Sequence, residues 1–400
     1  MRGWKATFRS ITLAVLNDLG LVQPSLIQPQ WTGKGIWHTC QLSAGITCAL
    51  LVAVPAAAAP LDGLLTAIPE RLAPSGYVEI GADRMSDGLD VFRIRESDPL
   101  TAGTMAGDYQ GQHLSAAWHA SEGLWLSGGL WERHVSDASD TYFYNSWQVA
   151  AQYRFVQAQG ARPALALRLS SWGNRASATE SSTPVNVPGA KLNTVKITEP
   201  ADQQLQADLI ATWVLTPTLD VSGLLSGGSN RLSYGALSAT TTRNGCNYQL
   251  SFTGNDIFGT LIPPCSAKGG IIEQFYDSSG DYGVDVAKEI AWRGTFMQLG
   301  INSAWRNGPW TLQGAYLFHA ARREAVDAIL ASRGKSSYTQ NHTIMLESDY
   351  RLLENVSVFT RAQFSSSLLM NDIPVTYNSS TAGRFGSKYS LFTVGLRALF

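Results

Sequence analysis

Charge is scarce in this 400-residue chain: Asp, Glu, Lys and Arg make up 15% of it and nearly cancel, to a formal net charge of −1. So neutral a chain has little electrostatic grip on a polyphosphate. No basic run interleaved with aromatics occurs either, which excludes nucleic acid as the partner. Cysteine is rare, with four in all, too few for a disulfide-dense miniprotein or a multi-ligand zinc module. The chain also lacks a P-loop, a dinucleotide-binding glycine fingerprint, a zinc-type histidine and carboxylate motif and a G-x-S-x-G elbow, so no nucleotide enzyme or familiar hydrolase is written in it. Long apolar runs are missing as well. The most apolar stretch, LSAGITCALLVAV at 42–54, falls short of the roughly 20 residues a membrane-spanning helix needs.

What is present is alternation. Aromatic residues reach 10%, glycine numbers 37, and mean hydropathy is −0.05, yet the apolar residues are dispersed at every second position and not gathered into helical stripes. Period two is the signature of strands with one apolar and one polar face. Candidate strands come in pairs: 76–84 with 107–119, 123–134 with 142–156, 162–173 with 203–214, 218–228 with 288–305, 309–322 with 340–351, and 355–366 with 388–400. Tight turns at 120–123, 157–161, 216–218, 306–308 and 352–354 join one pair to the next, and longer polar segments lie within the pairs.

The last twelve residues, YSLFTVGLRALF, place Phe392, Val394, Leu396, Ala398 and Phe400 on one face and Thr393, Gly395 and Arg397 on the other. A strand of this pattern ending on an aromatic residue resembles the C-terminal strand of bacterial outer-membrane β-barrels of the porin kind. The resemblance covers roughly residues 76–400 as architecture and identifies no subfamily. It implies an all-β fold: a transmembrane antiparallel up-and-down barrel of about twelve strands, or fourteen if one further hairpin joins it. It also implies a place in the outer membrane of a Gram-negative bacterium, lipid as surroundings, and the barrel-assembly machinery as a partner of the C-terminal strand.

The N-terminal sequence suits export. Residues 1–58 are expected to be a leader. Its apolar run follows Lys34 and precedes PAAAAP, with cleavage near Ala58, although a long stretch bearing Arg2, Lys5 and Arg9 comes first and leaves the translation start open. Residues 59–75 are then a short periplasmic segment, and 76–400 the barrel. With the chain ending on the periplasmic side, the tight turns all fall on that side and the long loops outside.

Trp118, Phe155, Trp213, Trp305, Trp310, Tyr350 and Phe400 sit near the periplasmic ends at lipid-facing parity, as an interfacial aromatic girdle would. The opposite parity collects polar groups, among them Arg133, Arg154, Arg168, Arg361, Arg397, Glu347, Asp349, Asp208 and His319. These are the candidates for a charged lumen that orients and selects solutes. Cys40 and Cys48 leave with the leader. Cys246 and Cys265 remain, and in an exported protein such a pair reads as a disulfide. It would staple the long external segment 229–287, which is either an added hairpin or a loop folding into the mouth as a constriction. Pro263 and Pro264 favour the loop. Segment 323–333 has helical spacing. DSSGDYGVD at 277–285 spaces its carboxylates loosely like a calcium loop, but Tyr282 stands where such a loop needs glycine.

Neither a cofactor nor a metal is expected. The leading expectation is a channel for small hydrophilic solutes. The alternatives are a non-conducting surface barrel that binds a partner through its external loops or exports a polymer, and, third, a lipid-modifying enzyme. No catalytic residue is assigned.

Overall fold

The computed structural model describes residue 65 and residues 75–86, 108–137, 140–182, 184–187, 190–265, 271–367 and 371–400. The expected leader, with its cleavage site, lies outside the described residues. Among the described residues the strands are β1 (Gly76–Met85), β2 (Asp108–Ser121), β3 (Leu124–Asp137), β4 (Asp140–Val156), β5 (Ala164–Arg175), β6 (Ala178–Ser181), β7 (Val185–Val187), β8 (Ala190–Thr198), β9 (Ala201–Thr216), β10 (Leu219–Ser233), β11 (Leu237–Arg243), β12 (Cys246–Thr253), β13 (Asp256–Ile262), β14 (Gln274–Ser278), β15 (Arg293–Asn307), β16 (Trp310–Arg323), β17 (Gln340–Leu353), β18 (Val356–Ser365) and β19 (Tyr389–Leu399), with helices α1 (Val286–Ile290) and α2 (Val326–Ser332).

Twelve of these strands close into one antiparallel barrel in the order β1-β19-β18-β17-β16-β15-β10-β9-β5-β4-β3-β2. The closing seam pairs β1 with β19 from Tyr77↔Leu399 to Arg84↔Phe392. Phe400 completes it, its amide donating to the Gly76 carbonyl at 2.9 Å while the Gly76 amide donates to the Phe400 carbonyl at 2.9 Å. A side chain at Gly76 would strike the Phe400 ring, 2.6 Å from an ideal Cβ, so glycine lets the terminal aromatic lie across the seam.

The alternation decides which face meets lipid. In β9, Gln204, Gln206, Asp208, Ile210 and Thr212 are buried, whereas Leu205, Leu209 and Trp213 are exposed. Ile80, Leu114, Val149, Leu167, Leu225, Leu299, Ile301, Leu346 and Leu396 repeat the outward pattern around the barrel. So large an exposed apolar band on a water-soluble protein would drive aggregation; on a transmembrane barrel it is the surface that hydrocarbon wets. Trp118, Phe155, Trp213, Trp305, Trp310 and Phe400 are all exposed near the short-turn end, and Tyr350 lies half-buried beside Trp310, their ring centroids 4.6 Å apart.

Outside the barrel, β6, β8, β11, β12, β13 and β14 form a second sheet, with β7 pairing β8. Its core gathers Ala239, Cys246, Tyr248, Leu250 and Ile257, and Cys246 is bonded to Cys265 with Cα atoms 4.9 Å apart. Segment 229–287 is therefore neither an irregular loop nor a hairpin added to the barrel. The tip of β10 continues the barrel wall, and β11–β14 form three successive hairpins, with β11 also paired to β8. Prolines 263 and 264 do end β13.

The expected strand start at 288 is also corrected to 293. Residues 286–290 are helical, because the Asp285 side chain caps the turn by accepting from the Lys288 amide. The helix expected within 323–333 is found at Val326–Ser332.

Burying Arg at the midplane of a barrel's lipid face costs about 2–4 kcal/mol. Leu209→Arg should therefore lower the denaturant midpoint of refolding into lipid vesicles by that equivalent. Thr212→Asn, on the bore side of the same strand, should change it little.

Candidate functional site

The bore has two unlike walls. On β1, β2, β17, β18 and β19 the inward positions carry charge. Arg397 is the hub: its Nη2 donates to Glu79 Oε2 at 2.6 Å and to Glu347 Oε1 at 3.0 Å, and its Nη1 donates to Asp349 Oδ2 at 2.8 Å. Arg361 bridges the same pair of acids, donating from Nε to Glu347 Oε2 at 2.8 Å and from Nη2 to Glu79 Oε1 at 3.3 Å. His113 spans two carboxylates, with Nδ1 3.1 Å from Asp83 Oδ2 and Nε2 3.2 Å from Glu79 Oε1. Hydroxyls complete the set, from Thr393 to Asp83 at 2.6 Å and from Ser357 to Asp349 at 2.8 Å.

Register places these groups together. Glu79 pairs across the seam with Arg397, and Glu347 lies opposite Arg361. One aromatic ring holds both guanidiniums in place: Arg397 lies 4.8 Å and Arg361 5.2 Å from the centroid of Phe359, which favours a cation over the ring face. Phe359 can lie flat there because its cross-strand neighbour is Gly395, where a Cβ would overlap the ring.

The facing wall, on β9, β10, β15 and β16, carries mostly amides and hydroxyls: Gln204, Gln206, Ser222, Ser226, Gln298, Asn302 and Gln313. Between the walls, Arg168 Nε donates to Asp208 Oδ2 at 2.6 Å across the β5–β9 pair. His319 lies 3.0 Å from Gln298 Nε2 and stacks on Phe296.

All nine lumen candidates thus have inward parity. The structure joins Arg361, Arg397, Glu347 and Asp349 in one network, joins Arg168 with Asp208, and leaves His319 in a separate amide and aromatic setting. Arg133 is buried on β3 and Arg154 half-buried near the end of β4. Glu79 and His113 belong to the same network as Arg397, and their inward parity was legible in the sequence.

Two features escaped the sequence. The first is an apolar collar inside the polar bore, made of Ala166, Ile210, Leu224, Ala315, Leu317 and Met345, in which Leu65 is seated. Asn302 Nδ2 donates to the Leu65 carbonyl at 3.4 Å. Of the stretch expected to be a short periplasmic segment, Leu65 and Ser75 are described, and Leu65 lies inside the barrel. The collar's signal was the apolar residues at bore parity, such as Met345 and Leu317.

The second is the segment 371–386 between β18 and β19, which fills the mouth at the long-loop end. Ile373 packs with Met85, Tyr109, Val135, Tyr144 and Tyr389, while Tyr377, Ala382 and Phe385 pack with Leu232, Trp292, Val326 and Leu330. Its Val375 amide donates to Asp202 Oδ2 at 3.0 Å on β9, nearly opposite β18 in the barrel order. On the other side, the Trp292 indole donates to the Tyr377 carbonyl at 2.8 Å and the Arg323 guanidinium covers the Tyr377 ring at 3.7 Å. The mouth is thus narrowed by 371–386. The disulfide-stapled segment, expected to do this, forms strands of the second sheet, where β11 pairs with β8.

A closed twelve-strand barrel with an apolar exterior, a polar bore, short turns at one end and long loops at the other leaves one class of architecture. This is a transmembrane barrel of the bacterial outer-membrane kind. No family model matches the chain, and no curated protein does. Solved structures that resemble it include a KdgM porin in complex with disordered oligogalacturonate (10% identity over 81% of this chain and 99% of that one, TM-score 0.35). They also include the translocator domain of the autotransporter NalP from Neisseria meningitidis (10%, 86% and 98%, 0.43) and LpxR from Salmonella typhimurium (7%, 81% and 100%, 0.38). The assignment rests on the barrel's own geometry.

Removing one partner from a buried ion cluster strands the others and costs about 3–5 kcal/mol. Arg397→Met, which leaves Glu79, Glu347 and Asp349 without their common donor, should destabilise the folded barrel by that amount in denaturant titration. Arg397→Lys should recover only part of the loss, because an ammonium lacks the fork that reaches three carboxylates.

Proposed function

We propose that the protein is an outer-membrane channel for small hydrophilic solutes, closed in the state described. The observation that carries this reading is the division of the bore into a charged wall and an amide and hydroxyl wall. A barrel held together only for its own stability has no need of two facing polar walls. A path lined this way offers a polar or charged solute replacement hydrogen bonds as it sheds water. Arg133, Arg154, Arg168, Arg361 and Arg397, set against Asp208, Glu347 and Asp349, give the path both signs of charge and a means of orienting a dipolar solute. His319 adds a neighbouring polar contact.

Closure has two parts in this reading. Segment 371–386 bridges the mouth through contacts that can open one by one, and Leu65 sits in the apolar collar below it. Passage requires both to move. With twelve strands the bore is narrower than that of the 16–18-stranded porins, which restricts traffic to small or threaded solutes.

A surface barrel that binds a partner through its loops is the second reading, favoured by the second sheet, where Phe258 and Tyr276 stand exposed as cross-strand neighbours. A lipid-modifying enzyme has less support, since His113 and His319 both point into the bore and not towards lipid.

Conductance in planar bilayers separates these. The intact chain should give rare, brief openings, and a variant with 371–386 replaced by a short glycine–serine turn and Leu65→Gly should give steady conductance. If that double variant is as silent as a bare bilayer, the channel reading is wrong.

A further inference from the structure

At the long-loop end, between the second sheet, the rim of β4 and segment 374–385, lies a cavity of about 1050 Å³. That is at the upper end of the range in which small-molecule sites fall, roughly 300–1,000 Å³. It belongs neither to the bore network nor to the collar. Its walls are largely apolar: Leu237 and Leu250 from the second sheet, Phe252 and Phe275 beside them, and Val375 and Phe385 from the mouth segment. Aliphatic and aromatic walls from separate elements, facing one space, would bind a hydrocarbon chain, and the hydroxyls and amides that share the lining leave room for a polar head.

Lysines and arginines complete the lining. Lys191, Arg243 and Lys335 all border the cavity and are exposed. Among the described residues none of the three is in an ion pair: Lys335 Nζ donates to the Ser379 carbonyl at 3.4 Å, and Arg243 lies over the Phe275 ring at 5.3 Å. Arg333 borders the cavity too, so four cations stand against the two carboxylates of the lining, Asp277 and Glu289. Glu289 accepts from Arg333, and Asp277 accepts from the Tyr282 hydroxyl. The balance left facing the cavity is cationic.

We propose that this cavity binds a single-chain anionic amphiphile, a molecule of the fatty-carboxylate class. The hydrocarbon tail lies against Leu237, Leu250, Phe252 and Val375, and the head is met by Lys191, Arg243 and Lys335. Apolar walls alone would take any greasy molecule, and cations alone any anion; their combination selects an amphiphile with a negative head. Val375 ties the site to the mouth, because its amide is the one that donates to Asp202 across the barrel. An occupant touching Val375 therefore touches the segment that narrows the bore.

The test uses the full chain in phosphatidylcholine nanodiscs, with decanoate as the probe, decyltrimethylammonium as its cationic counterpart, and empty discs as the baseline for partition into lipid. Calorimetry should find one saturable decanoate site per chain above the empty-disc baseline, with the ammonium about tenfold weaker. K191Q/R243Q/K335Q, which changes only exposed side chains outside the bore, should bring decanoate down to the level of the ammonium while keeping the wild-type shift between heated and unheated gel mobility. The proposal is overturned if decanoate binding is indistinguishable from empty discs, if the ammonium binds equally well, or if the triple variant binds decanoate as wild type does. Because conductance is not read, failure here is separate from failure of the channel reading.

Discussion

Hydrocarbon offers a backbone no hydrogen bonds, and that single constraint sets the rest of this structure. A strand can enter a membrane only if both its edges are paired, so the seam between β1 and β19 is the condition for the other eleven ladders. The seam is closed to its last residue, with Gly76 and Phe400 exchanging both of their hydrogen bonds. Once the sheet is closed, side chains have two destinations, lipid or bore. The period-two sequence distributes them accordingly, as on β9, with Leu205, Leu209 and Trp213 outward and Gln204, Gln206 and Asp208 inward.

The bore then inherits a problem that a soluble core seldom meets, which is how to hold many charges in little space. The solution is local pairing through register: Glu79 opposite Arg397, Glu347 opposite Arg361 and Arg168 opposite Asp208. Cross-strand neighbours need no long side-chain reach, and Phe359 gives both guanidiniums of the charged wall a flat face to rest on. Fixing the ions to the wall leaves the mouth and the collar to control passage. Segment 371–386 meets opposite walls through separate clusters around Ile373 and Tyr377, so its closure is built from many modest contacts and not from one strong bond.

The barrel was legible because its code is simple. All twelve strands are found near their expected positions, and parity alone sorted the girdle from the lumen candidates. The second sheet was not legible as such: alternation announces strands without saying which sheet they join, and Pro263 and Pro264 favour a loop for 229–287. The mouth segment carries no periodicity at all. Ile373, Tyr377 and Phe385 bury themselves through irregular turns, and Asp202 on β9 gives no hint in sequence that it meets Val375. Leu65 was out of reach for a different reason. One leucine among several ahead of the first strand looks like any other, and its seat is assembled from Ala166, Ile210, Leu224, Ala315, Leu317 and Met345 on five separate strands.

The claim on which the account depends is that successive residues of one strand meet hydrocarbon and bore in strict alternation. A nitroxide scan of positions 204–213 on β9, in lipid vesicles, reads this directly from collision with oxygen, which concentrates in hydrocarbon, and with a water-soluble nickel complex. Labels at 205, 207, 209 and 211 should be oxygen-accessible, and labels at 204, 206, 208 and 210 should be shielded from oxygen. Equal oxygen accessibility at odd and even positions, or a helical period in the scan, would contradict the barrel.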